Sequence, residues 1–179
     1  AARQQEVLRL ARTHGMRVLG PNSFGLINND PAVSLNATLT PVIPRPGHLG
    51  LFSQSGALAI ANLDSAARRN LGISVFASAG NRTDVSGNDL LQYWHDDDRT
   101  DVAMLYLESF GNATKFARFA RRFAERKPLL AVVGSAVLWG LLPFAVLAVW
   151  GLWAAMRRSY GGPREALELV YELVALAKG

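Results

Sequence analysis

The sequence contains no cysteine. Disulfides, thiolate metal centres and cysteine nucleophiles are excluded, and the chain suits a reducing, cytoplasmic compartment. Histidine is scarce: His14, His48 and His95 stand far apart, so a histidine-rich metal site is not expected and no metal is assigned. Neither Gly-x-x-x-x-Gly-Lys nor Gly-x-Gly-x-x-Gly occurs, so both common nucleotide fingerprints are missing. No internal repeat or low-complexity tract breaks the chain. Charge is absent from one long stretch, because no Asp, Glu, Lys or Arg lies between Pro128 and Met156. The first residues have the opposite character: Arg3, Glu6, Arg9 and Arg12 leave no apolar run for a signal peptide. The chain starts without methionine and already in a helical pattern, which reads as a fragment.

What is present points to a folded protein. Half of the 179 residues are hydrophobic and 18% are charged, enough to build a core for one domain and part of another. The net charge of +5 permits anionic partners such as phosphates, lipid headgroups or nucleic acid, and selects none of them.

Residues 3–14 have helical spacing, with Val7, Leu8 and Ala11 on one side, and Gly15 ends the pattern. Residues 17–19 form a short strand candidate that leads into the turn-rich Gly20-Pro21-Asn22-Ser23-Phe24-Gly25. Prolines at 31, 41, 44 and 46 keep the next segment extended, and residues 33–47 read as a linker. Then a rhythm begins. Strands are expected at 49–53, 73–78, 102–107 and 129–133, and helices at 56–69, 87–94 and 113–125. Apolar strands alternating with helices predict an α/β fold, a parallel sheet with helices on both faces. Ligands in such sheets bind beyond the carboxyl ends of the strands. The loops at 53–56, 78–87 and 107–112 are therefore the ones to inspect.

Ser53-Gln54-Ser55-Gly56 joins a strand to a helix. A helix start offers free N–H groups and a positive dipole end, and small residues let an anion approach them. Ser53, Ser55 and Gly56 are thus candidate phosphate-binding residues. The same serine and glycine also serve simply as a cap and a tight turn. A serine hydrolase elbow is not met, since position 53 is Ser rather than Gly. Glu108 ends the third strand of the rhythm, where a carboxylate can orient an imidazole, hold a cation or act as a base; a solvated strand end is the plainer reading. Asp84 and Asp89 lie in the polar loop that begins at Gly80-Asn81, and helix capping suits them better than metal binding. Arg118, Arg121, Arg122 and Arg126 line the polar side of one helix. They read as a solvated basic face, and no nucleic-acid partner is assigned.

Four segments together, in order and spacing, resemble one family. They are Gly20-Pro21-Asn22-Ser23-Phe24-Gly25-Leu26-Ile27-Asn28, Ser53-Gln54-Ser55-Gly56-Ala57-Leu58, Gly80-Asn81 through Asp84-Val85-Ser86-Gly87-Asn88-Asp89, and Leu105-Tyr106-Leu107-Glu108-Ser109-Phe110. The family is that of the NDP-forming acyl-CoA synthetases, relatives of the succinyl-CoA synthetase alpha subunit. The resemblance runs from about residue 3 to 132. It implies that 1–32 is the end of a CoA-binding Rossmann-like domain and that 48–133 is a succinyl-CoA-ligase-like flavodoxin domain. It also implies CoA, ADP or ATP, phosphate and acyl-CoA as ligands, with Mg entering only through an ATP-grasp domain or beta-type subunit. Such enzymes work through a phosphorylated histidine. By carry-over, Ser55 and Gly56 hold the phosphoryl group and Glu108 is the catalytic carboxylate that steadies the phosphohistidine. Asn22, Gly80 and Asn81 belong to the substrate and CoA-side loops.

The departure from the family lies after residue 133. The family places its histidine in the loop that follows, whereas here Gly134-Ser135-Ala136-Val137-Leu138-Trp139 continues and no histidine follows His95. The expected function is therefore a partial acyl-CoA synthetase chain, inactive alone. The alternative is a non-catalytic CoA-binding or regulatory module, like the synthetase-like portions of some bacterial protein acetyltransferases. Residues 134–156 are long enough for a transmembrane helix, with Trp150 and Trp153 near Arg157-Arg158 as interfacial anchors. A cytoplasmic domain anchored to a membrane is thus one expectation; a packed segment or a fused or frameshifted terminus are the others. Residues 157–179 read as a terminal helix.

Overall fold

A computed structural model of the chain describes residues 2–134. Its elements are α1 (Ala2–Thr13), β1 (Gly25–Asn28), β2 (Leu35–Thr38), β3 (Pro46–Ser53), α2 (Gly56–Arg68), β4 (Ile73–Ser78), α3 (Gly87–Asp96), β5 (Val102–Leu107), α4 (Ala113–Ala124) and β6 (Leu129–Val133). They build one six-stranded sheet of order β2-β1-β4-β3-β5-β6.

The four strands from β3 onward are parallel, in the order β4-β3-β5-β6. That is the beginning of the flavodoxin-like strand order, with its switch point between β3 and β5. Alternate residues of the central strands serve opposite faces. Leu51, Phe76 and Met104 pack with Ala59, Leu63 and Ala66 of α2. Phe52, Ala77, Ala103 and Leu105 pack with Leu90, Leu91 and Trp94 of α3 and Phe123 of α4. One close joint is at Trp94, which is fully buried. Its ring lies so close to Gly50 that a Cβ there would stand 2.7 Å from Cε2. The carbonyls at the end of α3 are met by Lys127, whose Nζ donates to the Trp94 and Asp97 oxygens at 2.7 Å each.

The sheet is mixed rather than purely parallel. β1 runs antiparallel to β4, with Gly25 opposite Ser78, and β2 runs antiparallel to β1. Part of the segment read as a linker is thus a strand. Leu35–Thr38 lies between Pro31 and Pro41, so its N–H groups are free to form a ladder, and its side chains are mostly solvated, as an edge tolerates. Residues 17–19 do not form a strand. The Val18 N–H donates to the Asp84 carboxylate at 3.0 Å, and the Val18 carbonyl accepts from the Val85 N–H at 3.1 Å. These loop contacts replace a ladder.

Among the described residues no helix is long and apolar enough to cross a membrane. The candidate transmembrane segment 134–156, apart from Gly134, and the expected helix at 157–179 lie outside the described residues.

Candidate functional site

The carboxyl ends of β3, β4 and β5 open onto the same edge of the sheet, and their three loops meet there. Ser53 closes β3 and is fully buried. Its hydroxyl donates to the Ser55 carbonyl at 2.8 Å, so it shapes the turn from inside. Ser55 is the N-cap of α2, with Oγ accepting from the Leu58 N–H at 3.4 Å. The Ser55 O–H has no acceptor among the described residues. The Gly56 and Ala57 N–H groups, also in the first turn, have no hydrogen-bond partner among the described residues. A Cβ on Gly56 would meet nothing within 4 Å, so the fold itself does not require glycine there. An open surface, unpaired N–H groups and a helix start of positive potential together suit an anion.

Gln54 links this turn to the next loop. It is 6% exposed, although it lies between two loops. Its Oε1 accepts from the Glu108 N–H at 2.8 Å and from the Ser109 N–H at 3.2 Å, while Nε2 donates to the Ser109 carbonyl at 3.0 Å. Sequence reading passed over this residue. Its neighbours in space are 54 and 55 positions away, and the one local hint is a bifunctional amide between two small hydroxyl residues.

Glu108 follows the last residue of β5 and is exposed. No hydrogen bond ties down its carboxylate among the described residues. Tyr106, two residues earlier on the same side of the strand, feels it: burial first, and then the Glu108 charge, push the phenol pKa up. From the third loop, Arg82 donates to the Ser109 carbonyl at 2.8 Å and to Ser109 Oγ at 2.6 Å.

Asn22, Gly80 and Asn81 do come together. Gly80 has φ +50, and a Cβ there would stand 2.1 Å from the Asn22 carbonyl oxygen, so glycine is required for the close approach. The Asn81 N–H donates to the Pro21 carbonyl at 3.0 Å, and the Thr83 N–H donates to that of Gly20 at 3.1 Å. Both asparagines are exposed and neither side-chain amide is bonded among the described residues. Ser23 hydrogen-bonds the Ser78 carbonyl, and Phe24 N–H donates to Ser78 Oγ at 3.1 Å, which fixes the turn against β4.

Asp84 and Asp89 are structural anchors here. Asp84, with its side chain 4% exposed, accepts from Arg17 Nε at 2.7 Å and Arg12 Nη2 at 3.2 Å. Burial alone would raise its carboxyl, but the hydrogen bonds from Arg17, the Val18 N–H and Arg12 outweigh it and hold the pKa at about 2. Asp89 closes a capping box with Ser86 at the start of α3 and also meets Arg17 at 3.3 Å. His95 lies near the far end of α3, buried, with Nδ1 unpaired among the described residues. Since α3 runs back from the carboxyl end of β4, His95 in its last turn sits away from Gly56 and Glu108.

The pattern described as "Succinyl-CoA ligase like flavodoxin domain" matches residues 46–136, just over half of the chain. The chain is 38% identical over 129 residues to the alpha subunit of the ADP-forming acetate–CoA ligase I of Pyrococcus furiosus, covering 72% of this chain and 28% of that one. It is 33% identical to the ADP-forming 4-hydroxybutyrate–CoA ligase of Nitrosopumilus maritimus, covering 74% of this chain and 19% of that protein. The solved dinucleotide-forming acetyl-coenzyme A synthetase 1 of Ca. Korarchaeum cryptofilum, in complex with phosphate and ADP, superposes with a TM-score of 0.68 at 38% identity. That match covers 73% of this chain and 28% of the other. The chain therefore spans less than a third of the length of these relatives.

Proposed function

Because the chain belongs to the succinyl-CoA-ligase-like flavodoxin family of NDP-forming acyl-CoA synthetases, we propose that it supplies the phosphoryl-holding half of such an enzyme. The observation that carries this reading is the start of α2, where the Gly56 and Ala57 N–H groups have no partner among the described residues and open space lies beside a glycine the fold does not need. A phosphoryl group fits there, met by the N–H groups, the helix dipole and the Ser55 hydroxyl. Ser53 supports the turn from beneath. Glu108 follows β5 on the neighbouring loop, whose backbone is bonded to Gln54 of the same turn, and in this reading its exposed carboxylate accepts a hydrogen bond from an imidazole N–H and favours the cationic form. Asn22, Gly80 and Asn81 form the adjoining wall, and the two free asparagine amides suit the polar part of CoA or an acyl-CoA. CoA, phosphate and ADP or ATP are the ligands of this reading, and an ATP-grasp domain or beta-type subunit is the partner. Residues 1–32 are then the end of a CoA-binding domain. The cell compartment of this reading is the cytoplasm.

In this reading the histidine that is phosphorylated has to be supplied from outside this chain. No histidine follows His95 in the sequence, and His95 is buried in the last turn of α3, away from the strand ends. The test is reconstitution of the full chain with an ATP-grasp-type subunit of an ADP-forming relative, the histidine-bearing segment of that relative's alpha subunit, acetyl-CoA, ADP and phosphate. ATP formed above the level of the added pieces alone, and lost in Glu108→Gln, supports the ligase half. Absence of ATP formation, with CoA still bound in a calorimetric titration, favours the second reading, a non-catalytic CoA-binding or regulatory module. The missing histidine is the observation on the side of that second reading.

A further inference from the structure

Three loops meet at Ser109, and the side chains that hold it hydrogen-bond only residues 108 and 109 among the described residues. Gln54 comes from the β3–α2 turn and is buried. It grips two successive N–H groups and one carbonyl of the 108–109 backbone. Arg82 comes from the β4–α3 loop and grips the same carbonyl and the Ser109 hydroxyl. A side-chain amide that is nine-tenths buried and satisfied at both ends is specific: only a group that donates and accepts fits between these loops. The backbone N–H groups it satisfies belong to Glu108 itself and to the next residue. Gln54 is also only two positions from Gly56, so the clamp fixes the start of α2 and the base of the Glu108 side chain as one unit.

We propose that Gln54 and Arg82 are positioning residues that latch the 108–109 turn to the start of α2, holding the Glu108 carboxylate beside the phosphoryl group. This rests on the phosphoryl reading of the α2 start given above. Gln54 sets the near side through the N–H groups of the turn, and Arg82 closes it from the opposite loop. Neither touches the phosphoryl group or the imidazole; both act through the carboxylate they place.

The test uses the full chain and amide-detected NMR, with inorganic phosphate as the probe. Gln54→Met keeps the length and removes both hydrogen-bonding ends. It is expected to speed hydrogen exchange at the Glu108 and Ser109 N–H groups about tenfold, while the β5 ladder stays protected. Gln54→Glu keeps the accepting oxygen but sets a carboxylate against the Ser109 carbonyl, so it is expected to lose that protection as Gln54→Met does. The functional part is a double-mutant cycle on phosphate binding, read at Gly56 and Ala57. Glu108→Gln removes a like charge next to the anion and should tighten phosphate about threefold in the latched chain. In the Gln54→Met background the same change should have no effect, an outcome that a purely structural role for Gln54 does not produce. Unaltered exchange at Glu108 and Ser109 in Gln54→Met overturns the latch, whatever phosphate does. Protected N–H groups with no phosphate response at Gly56 in the unaltered chain overturn the phosphoryl reading instead, and the positioning role with it.

Discussion

Asp84 ties the N-terminal helix to the rest of the fold, and acid should release it. Its carboxyl falls from an ordinary 3.8 to about 2 in the folded chain. At about 1.36 kcal/mol per pH unit, that depression corresponds to about 2.5 kcal/mol. Arg12 and Arg17 remain 63% and 59% exposed, and solvent screening brings the contribution to about 1.5 kcal/mol. A depressed carboxyl stabilises the fold fully above its unfolded pKa of 3.8 and stops doing so as the pH falls through about 2. Asp84→Asn should therefore cost about 1.5 kcal/mol at pH 7, or about 4 °C in Tm for a domain of this size. The deficit should shrink between pH 4 and pH 2 and vanish below that. Thermal unfolding of both chains across this range is the assay. Asp89 and Glu6 also have lowered pKa values, so the difference between the two curves, and not the slope of either, isolates Asp84. A deficit that stays constant from pH 7 to pH 2 would refute the reasoning, since it would then come from packing and not from charge.

Other perturbations have equally direct readouts. Trp94→Ala empties the joint between α3 and β3 and should cost about 3–5 kcal/mol in urea unfolding. Gly80→Ala forces a Cβ against the Asn22 carbonyl and should cost about 2 kcal/mol or more, with limited proteolysis showing earlier cleavage near residues 20–23. Ser55→Ala removes the α2 cap and should cost about 1 kcal/mol, with faster exchange at the Leu58 N–H.

Much of this fold was legible in the sequence, for a physical reason. Ile73–Ser78 and Val102–Leu107 are short apolar runs between helical patterns, and they form β4 and β5 at those bounds. Strands buried on both faces must read that way. The β1–β2 hairpin was not legible. Leu35–Thr38 is largely solvated, so it has no apolar alternation to betray it, and the surrounding prolines argue for a loop. Its strand character comes from β4, whose open edge β1 pairs with. The candidate site divides in the same way. Ser55, Gly56 and Glu108 are local features at strand ends and could be found one at a time. Gln54 and Arg82 could not, because what makes them special is that both converge on Ser109, and only the folded chain brings them there.

The central claim is that the start of α2 holds a phosphoryl group. Titration of the full chain with inorganic phosphate, followed residue by residue through the backbone N–H signals, tests it most directly. Saturable shifts are expected at Gly56 and Ala57, with smaller ones at Ser55 and Glu108. Shifts confined to the basic face of α4, at Arg118, Arg121 and Arg122, with Gly56 unmoved, would mean that phosphate senses only surface charge and would contradict the account.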